Sequence, residues 1–190
     1  MNLDGYASIA RVAKEEGAQI IVFPEWGLFG ANNPVRHRDT IKGYCEEIND
    51  STLNDPTSVV GKLSLVARTN GVALTANVCE SLPIPSVSFP GDDYVLYNTE
   101  VAFDTDGTML AKYHKNHPWY TDTFDTPEKE VVKFKTSFGV TFGLIVCYDI
   151  VHDTPEMELL DMGVTQFPYS VAEPATLMGK EVRDKLGGRG

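Results

Sequence analysis

The sequence predicts an α/β fold in which helices pack against short buried strands. Apolar residues recur at helical spacing over Leu3–Glu16, which is the pattern of an amphipathic helix. The segment Val140–Val146 is apolar at nearly every position and short, which favours a strand covered on both faces. Segments of these two kinds alternate along the chain. With 190 residues, 42% of them hydrophobic, the chain can bury the core of one domain.

The first half of the chain indicates two helix and strand pairs. Pro24 closes the first strand because proline cannot donate to a continuing ladder, and Asn70-Gly71 ends the second helix. The polar segment Val35–Asp55 has no clear pattern and is not assigned. The predicted elements are a helix over Leu3–Glu16, a strand over Ala18–Phe23, a helix over Thr57–Thr69 and a strand over Val72–Val78.

The second half indicates a hairpin followed by further strands and helices. The turn Asp104-Thr-Asp-Gly107 separates two half-apolar runs, which is typical of a β-hairpin. Pro155 suits the first turn of a helix, with Asp153 or Thr154 as its N-cap. The predicted elements are hairpin strands over Tyr94–Phe103 and Thr108–His114, a strand over Val140–Val146, a helix from this proline to about Asp161, a strand over Val164–Phe167 and a helix over Ala175–Leu186.

Composition excludes several function classes. The formal charge of -11 argues against binding nucleic acid or an anionic membrane surface. No apolar run is long enough to span a bilayer, and no cleavable signal peptide is visible. The three cysteines are too few and too irregularly spaced for a zinc site or a disulfide framework, although Cys45 and Cys79 could pair in an exported protein.

Nothing in the sequence calls for a metal or a cofactor. His114 and His117 flank Lys115, but no further soft ligand stands at a useful spacing, so we expect these histidines to shape a pocket. No glycine-rich phosphate loop is present.

Three reactive side chains stand at the ends of predicted strands. Cys147 follows the apolar run, Glu25 follows Pro24, and Lys115 ends the hairpin. Taken singly, each has a plain structural interpretation: a space-filling buried thiol, a helix N-terminal acid and a solvated charge. Together they supply the nucleophile, the proton acceptor and the oxyanion stabiliser that a cysteine-dependent amide hydrolase needs.

These segments resemble the signature segments of the nitrilase superfamily of carbon-nitrogen hydrolases. The resemblance lies in Phe23-Pro-Glu25, Tyr113-His-Lys115 and Val146-Cys-Tyr-Asp149, and it is closest to the branch of vanins (pantetheinases) and biotinidase through Tyr97–Asp104 and Gln166-Phe-Pro168. It implies a four-layer α-β-β-α sandwich, incomplete here, that forms a homodimer when complete. It also implies a small-molecule linear amide as substrate and a secreted or membrane-anchored location.

The resemblance also implies roles for individual residues. Glu25 would be the general base, Cys147 the nucleophile, and Lys115 together with the backbone N–H of Tyr148 would hold the oxyanion. We expect Lys115 to favour the thiolate, since a nearby cation lowers a cysteine pKa. A second acid of the family falls by position at Asp122, with an ordinary loop acid, or Glu128 in that role, as the alternative.

Two aromatic residues follow Glu25, and two interpretations stay open for them. Trp26 or Phe29 could form a wall of the substrate pocket, or either could plug the loop that contains them.

We expect residues 1–190 to form a single partial carbon-nitrogen hydrolase domain. The likeness is clearest over residues 3–168, and the chain looks truncated at both ends by comparison with the vanin-like fold. The alternative is a catalytically inactive fragment or a non-enzymatic interaction module that retains the triad by descent.

Overall fold

The computed structural model describes residues 2–30 and 37–172, and it confirms the α/β prediction. Helices and strands alternate in the first half, and short strands dominate the second half. The helices are α1 (Leu3–Glu15), α2 (Arg38–Lys42), α3 (Asp50–Leu53), α4 (Val59–Asn70) and α5 (Glu156–Asp161). The strands are β1 (Ile20–Val22), β2 (Ala73–Leu82), β3 (Val95–Phe103), β4 (Met109–His114), β5 (Lys133–Lys135), β6 (Thr141–Gly143), β7 (Ile145–Val146) and β8 (Tyr169–Ser170).

The central element is a four-stranded sheet with the order β1-β2-β3-β4. β1 runs parallel to β2, and the other neighbours are antiparallel. β2 and β3 pair over their full common length, with Asn77 opposite Glu100. Both strands are almost entirely buried, which explains why their sequences lack a polar outer face.

Helices α1 and α4 cover one face of this sheet. The predicted end of α4 is confirmed, since Gly71 ends the helix with a φ of 60°, and at its start Ser58 accepts a hydrogen bond from the backbone N–H of Gly61. Leu63 of α4 packs in one cluster with Leu74 and Phe103 of the sheet, and all three are fully buried. Each such side chain contributes roughly 1.5–3 kcal/mol of burial free energy.

The second half of the chain covers the opposite face of the sheet. Ala102 of β3 and Tyr113 of β4 pack against Phe134, Leu144 and Val146 from β5 and the β6–β7 region. Helix α5 packs closely on this layer at Gly143 of β6. A Cβ added at this glycine would lie 2.8 Å from the side chain of Leu159 of α5. Helix, sheet, strands and helix therefore stack in the order expected of the sandwich.

Several predicted elements of this second half need correction. The strand predicted over Val140–Val146 is divided into β6 and β7, because its two ends pair with different partners, β5 and β8. The strand predicted over Val164–Phe167 is wrong; the paired residues are Tyr169 and Ser170. The predicted N-cap of α5 is also wrong, since the helix starts after Pro155 with no side-chain cap bond. The helix predicted over Ala175–Leu186 lies outside the described residues.

The unassigned segment after residue 35 contains the short helices α2 and α3. Asn49 caps α3 by accepting hydrogen bonds from the backbone N–H groups of Ser51 and Thr52. Cys45, just after α2, forms a disulfide with Cys79 of β2, the pairing that the sequence left open. Within residues 2–30 and 37–172, none of the helices is long and apolar enough to cross a membrane.

Candidate active site

Glu25 stands immediately after the first strand, in a tight turn. The strand ends because Pro24 cannot continue the ladder, and Trp26 adopts a φ of 59°, which is unusual for a non-glycine residue. The side chain of Glu25 is only 2% exposed. A buried carboxylate needs partners, and the neighbouring strands supply two.

Lys115 provides the first partner. It follows β4, and its backbone N–H donates to the carbonyl of Asn98 at 2.8 Å. Its ammonium Nζ lies 2.7 Å from Oε1 of Glu25, and its side chain is 1% exposed. The structure therefore brings together the two charged residues that the sequence placed on separate strand ends.

Asn98 is the second partner of the Glu25 carboxylate, and Asn77 supports Asn98. Asn98 Nδ2 donates to Oε1 of Glu25 at 2.7 Å. Asn77 Nδ2 in turn donates to Oδ1 of Asn98 at 2.7 Å, while its own Oδ1 accepts from the backbone N–H of Trp26 at 3.2 Å. The bonds from Lys115 and from Asn98 both fall on Oε1 of Glu25 and leave Oε2 out of them.

Cys147 begins a turn of 3-10 helix, Cys147–Val151, directly after β7. Its φ of 46° is a strained value for cysteine. The turn is held by Asp149, whose Oδ2 accepts from the backbone N–H of Val146 at 3.0 Å and from the hydroxyl of Tyr113 at 2.7 Å. The hydroxyl of Tyr169 donates to the carbonyl of Cys147 at 3.0 Å. The thiol is thus presented by a rigid backbone.

The electrostatics of the thiol differ from the expectation. Burial raises the pKa of Cys147 to about 11, and the charge of Glu25 and a hydrogen bond to it act in the same direction. Lys115 lowers the pKa of Cys147, as predicted, but its effect does not outweigh burial and the two contributions of Glu25. Cys147 therefore rests as a thiol beside its base.

A cavity of about 130 Å³ opens onto these groups. Glu25, Trp26 and Cys147 line it together. Trp119 and Tyr148 form an aromatic wall, with ring centroids 4.9 Å apart and nearly perpendicular planes. The cavity thus offers an apolar surface next to a reactive centre, which is the usual character of a small-molecule site.

The two aromatic residues after Glu25 have different positions. Trp26 lines the cavity and stacks on Phe124 at a centroid distance of 5.0 Å. Phe29 packs edge-on against Tyr44 and belongs to the hydrophobic clusters rather than to the cavity lining described. Phe29 has the position of a loop plug, the second of the two interpretations.

The structure does not bring Asp122 to Lys115. The carboxylate of Asp122 is exposed, and its recorded partner is the neighbouring Thr123, at 3.5 Å. Glu128 is exposed as well. The Lys115 ammonium bonds instead to Glu25.

The two histidines bind carboxylates. His114 bridges Glu80 and Glu130, with both nitrogen–oxygen distances 2.6 Å. The backbone N–H and Nδ1 of His117 each lie 3.0 Å from Oδ1 of Asp149. His117 therefore helps to fix the turn that holds Cys147.

Sequence reasoning missed the polar residues that surround Glu25. They lie on the inner faces of the sheet and of β8, and all are buried: Asn77, Asn98, Glu100 and Ser170. One signal was available, because Asn98 and Glu100 alternate within a strand that is otherwise largely apolar. Polar residues on a buried strand face need partners there.

Comparison with known sequences connects this geometry to a large family. The sequence model of the carbon-nitrogen hydrolase family matches residues 2–182. The chain is 38% identical over 188 residues to biotinidase of Takifugu rubripes, covering 90% of this chain and 36% of that protein. It is 36% identical over 173 residues to pantetheinase of Bos taurus, covering 84% of this chain and 33% of that protein. The chain thus spans about a third of the length of these relatives.

Solved structures agree with the fold. Nit3 of Saccharomyces cerevisiae, a member of the nitrilase superfamily, matches with a TM-score of 0.70 and 26% identity, over 93% of this chain and 60% of that one. An amidase from Nesterenkonia matches with a TM-score of 0.60 and 23% identity, over 92% of this chain and 60% of that one. At 23% identity, the likeness to the amidase shows a shared fold alone.

Proposed function

The chain belongs to the carbon-nitrogen hydrolase family, and on that premise we propose that it hydrolyses linear amides with Cys147 as nucleophile. In this proposal Glu25 is the general base, and Lys115 and the backbone N–H of Tyr148 stabilise the oxyanion. Residues 1–190 act as one carbon-nitrogen hydrolase domain. The substrate is a small linear amide of the pantetheine or biocytin type, by analogy with the relatives named pantetheinase and biotinidase.

One observation carries the proposal: Glu25, buried and paired with Lys115, lines the same cavity as a thiol held in a strained turn. A lysine and a glutamate are rarely this deeply buried unless they are paired, and a pair alone is weak evidence of function. A nucleophile placed against the same carboxylate makes the arrangement a catalytic constellation rather than a structural ion pair.

The reaction begins with proton transfer from Cys147 to Glu25 as the sulfur attacks the amide carbonyl. A thiol with a pKa near 11 holds little thiolate at neutral pH, so attack requires the base at the same time. The C–S bond forms and the carbonyl oxygen becomes an oxyanion. Lys115 and the N–H of Tyr148 stabilise it, and that N–H lies at the start of a helical turn, where amides lack intrahelical acceptors.

The tetrahedral intermediate then collapses. The C–N bond breaks, Glu25 returns its proton to the departing amine, and a thioester remains on Cys147. Water enters, Glu25 removes one of its protons, and the hydroxide attacks the thioester carbonyl. The C–S bond breaks, the acid leaves, and Cys147 recovers its proton.

Release of amine from a panel of linear amides by the purified chain tests the proposal. Cys147→Ala is expected to abolish turnover with little loss of stability, because it removes a single small side chain. Glu25→Gln and Lys115→Met should each lower the rate by about a hundredfold or more, the usual scale for a general base or an oxyanion donor. Hydrolysis by Cys147→Ala at the normal rate would remove the thiol from the mechanism.

A thiol probe separates the enzyme from a non-enzymatic module that keeps the triad by descent. Cys147 is the free cysteine among the described residues, since Cys45 and Cys79 are bonded to each other. Substrate should protect Cys147 from labelling if the cavity binds amides. Labelling without protection, together with an absence of turnover across the panel, favours the interaction module.

The chain forms a homodimer in this proposal. Apolar residues just after Cys147 and on α5 are exposed: Ile150, Val151, Met157 and Leu160. Exposed apolar side chains that form one patch favour association. Light scattering should give the mass of a dimer for the wild-type chain and a lower mass for Val151→Asp. A monomer mass for both proteins would contradict the proposed homodimer.

A further inference from the structure

Glu100 is a buried acid that the reaction above does not use. It lies on β3, two residues after Asn98, so both side chains point to the inner face of the sheet. It is fully buried. Its hydrogen-bond partners among the described residues are neutral side chains: Ser170 Oγ lies 2.6 Å from Oε1, Asn77 Nδ2 lies 3.4 Å from Oε2, and the hydroxyl of Thr75 also bonds to the carboxyl.

The Ser170 hydroxyl has two oxygen neighbours and a single hydrogen. Besides Glu100, its Oγ lies 3.0 Å from the carbonyl oxygen of Phe23. A carbonyl oxygen can only accept, so the two contacts are both full hydrogen bonds only if the hydroxyl donates to Phe23 and the Glu100 carboxyl donates to the hydroxyl. An ionised Glu100 can only accept the hydrogen bond of the hydroxyl, and the buried Phe23 carbonyl then loses this donor, which is costly.

Ser170 connects the two strand ends that form the candidate site. In the β7–β8 pair it stands opposite Val146, the residue before Cys147. Its other contact, Phe23, stands two residues before Glu25. One hydroxyl group thus joins the segment that carries the nucleophile to the segment that carries the base.

We propose that Glu100 is a positioning residue whose carboxyl group stays protonated at neutral pH and donates to Ser170, which holds the segments of Glu25 and Cys147 together. The catalytic part of this inference rests on the proposed amide hydrolysis, whereas the protonation does not. Ionisation of Glu100 at alkaline pH breaks the arrangement by redirecting the Ser170 hydroxyl. It also adds a second negative charge near Glu25.

The electrostatic surroundings support the same protonation state. Burial, with the negative charge of Glu25, raises the pKa of Glu100 to about 8 even though hydrogen bonds with Ser170, Thr75 and Asn77 lower it. Lys115 is bonded to Glu25 and balances that charge. The other titratable groups facing Glu100 are Tyr6 from α1 and Tyr113, opposite it on β4. Burial raises the pKa of both tyrosines, so they stay neutral.

Unfolding equilibria of the wild-type chain and of Glu100→Gln test the protonation without any need for activity. The glutamine amide can donate to Ser170 as the protonated acid does, but it does not titrate. An unfolded glutamate has a pKa of about 4.3, so from pH 5 to about pH 7 the unfolded wild type has lost a proton that the native state keeps. The wild-type unfolding constant, divided by that of the variant, should rise about tenfold per pH unit over this range.

Glu128→Gln is the matched control, because Glu128 is exposed, and its ratio should stay flat over the same range. A flat ratio for Glu100→Gln would show that Glu100 is ionised throughout and would overturn the inference. If Glu100→Gln does not fold, carbon-13 NMR of glutamate-labelled wild type decides: a carboxyl resonance titrating near pH 8 supports the inference. Titration of every glutamate below pH 6 refutes it.

The pH profile of turnover tests the positioning role. Wild-type kcat should fall above about pH 8, and Glu100→Gln should shift that fall to higher pH, whereas Glu100→Leu should be slow at every pH. An unchanged alkaline limb in Glu100→Gln would refute the positioning role. A chain with the stability slope but no turnover would overturn the proposed function alone, and a chain with turnover but no slope would overturn this inference alone.

Discussion

Replacing Lys115 with methionine is expected to destabilise the fold in a pH-dependent manner. Lys115 and Glu25 are 1% and 2% exposed at their side chains and are joined at 2.7 Å. Methionine keeps most of the side-chain volume but removes the ammonium. Glu25 then keeps two neutral partners, Asn98 and the thiol of Cys147, with no cation beside its largely buried charge. Removing one partner of a buried pair typically costs about 3–5 kcal/mol.

The protonation of Glu25 sets an upper limit on this cost. A glutamate with the usual pKa near 4.3 requires about 3.7 kcal/mol to be protonated at pH 7, and about 1 kcal/mol at pH 5. The variant takes the less costly route and buries Glu25 as a neutral acid. Its free energy of unfolding should therefore lie about 3–4 kcal/mol below that of wild type at pH 7, and the deficit should shrink towards pH 5 by about 1.4 kcal/mol per pH unit.

The direction of this pH dependence follows from the number of protons bound in the native and the unfolded state. In the variant, native Glu25 keeps a proton that the unfolded chain loses above pH 4.3, so the variant loses stability as the pH rises. Urea unfolding of both proteins at pH 5, 6 and 7 measures the slope. Lys112→Met is the control on the same strand, because Lys112 is 28% exposed and its partner Glu80 keeps His114. Lys112→Met should lower the free energy of unfolding by less than half as much as Lys115→Met.

The double variant Glu25→Gln with Lys115→Met separates charge from packing. It buries no unpaired charge, so most of the lost stability should return. A pH-independent deficit in Lys115→Met, or a double variant less stable than Lys115→Met, would refute the reasoning that an uncompensated buried carboxylate causes the loss.

Three further results are expected. Alkylation of Cys147 by iodoacetamide should accelerate about tenfold per pH unit from pH 7 to pH 9, since its pKa is raised to about 11; a plateau below pH 8 would contradict that value. Asp122→Asn and Glu128→Gln should both leave turnover unchanged, and a tenfold loss in Asp122→Asn would restore the positional hypothesis. Reducing the Cys45–Cys79 disulfide should lower the free energy of unfolding by about 2–4 kcal/mol, measured by urea unfolding with and without reductant; equal curves would show that the bond does not stabilise the native state.

The strand ends were predictable because their causes are local. A proline stops β1 just before Glu25, and the apolar run of β7 stops just before Cys147. Reactive residues that follow buried strands stand where a rigid element meets an open edge. The sequence therefore suffices to nominate Glu25, Cys147 and Lys115, and in the structure Glu25 bonds to Lys115 and lies beside Cys147.

The residues that support Glu25 were not predictable because their contacts depend on strand register. Asn77 reaches Asn98 only because β2 and β3 pair with Asn77 opposite Glu100. A shift of one residue would turn the asparagine to the helix-covered face. No local pattern sets that register. The same holds for Ser170, which reaches its partners through a β-pair that the sequence placed several residues earlier.

Asp122 shows why counting along a loop fails. The backbone N–H groups of Thr123 and Phe124 both bond to the carbonyl of Tyr120, so the chain makes a tight turn there. Phe124 enters the cluster around Trp26, and the turn leaves Asp122 facing solvent. Burial of the aromatic ring, rather than the distance from Lys115 in sequence, decides which way the acid points.

The resting thiol of Cys147 explains why so many residues surround Glu25. The sequence suggested that Lys115 would make a standing thiolate, but its ammonium bonds to Glu25 and burial outweighs its effect on the sulfur. With little thiolate present, the rate of the proposed reaction depends on how well the carboxylate receives the proton during attack. Asn98 and Lys115 both bind Oε1, which fixes the rotation of the carboxylate beside the thiol. If the chain hydrolyses amides as proposed, loss of Asn98 should slow turnover even though every residue that would touch substrate remains, because the carboxylate would no longer be held in place.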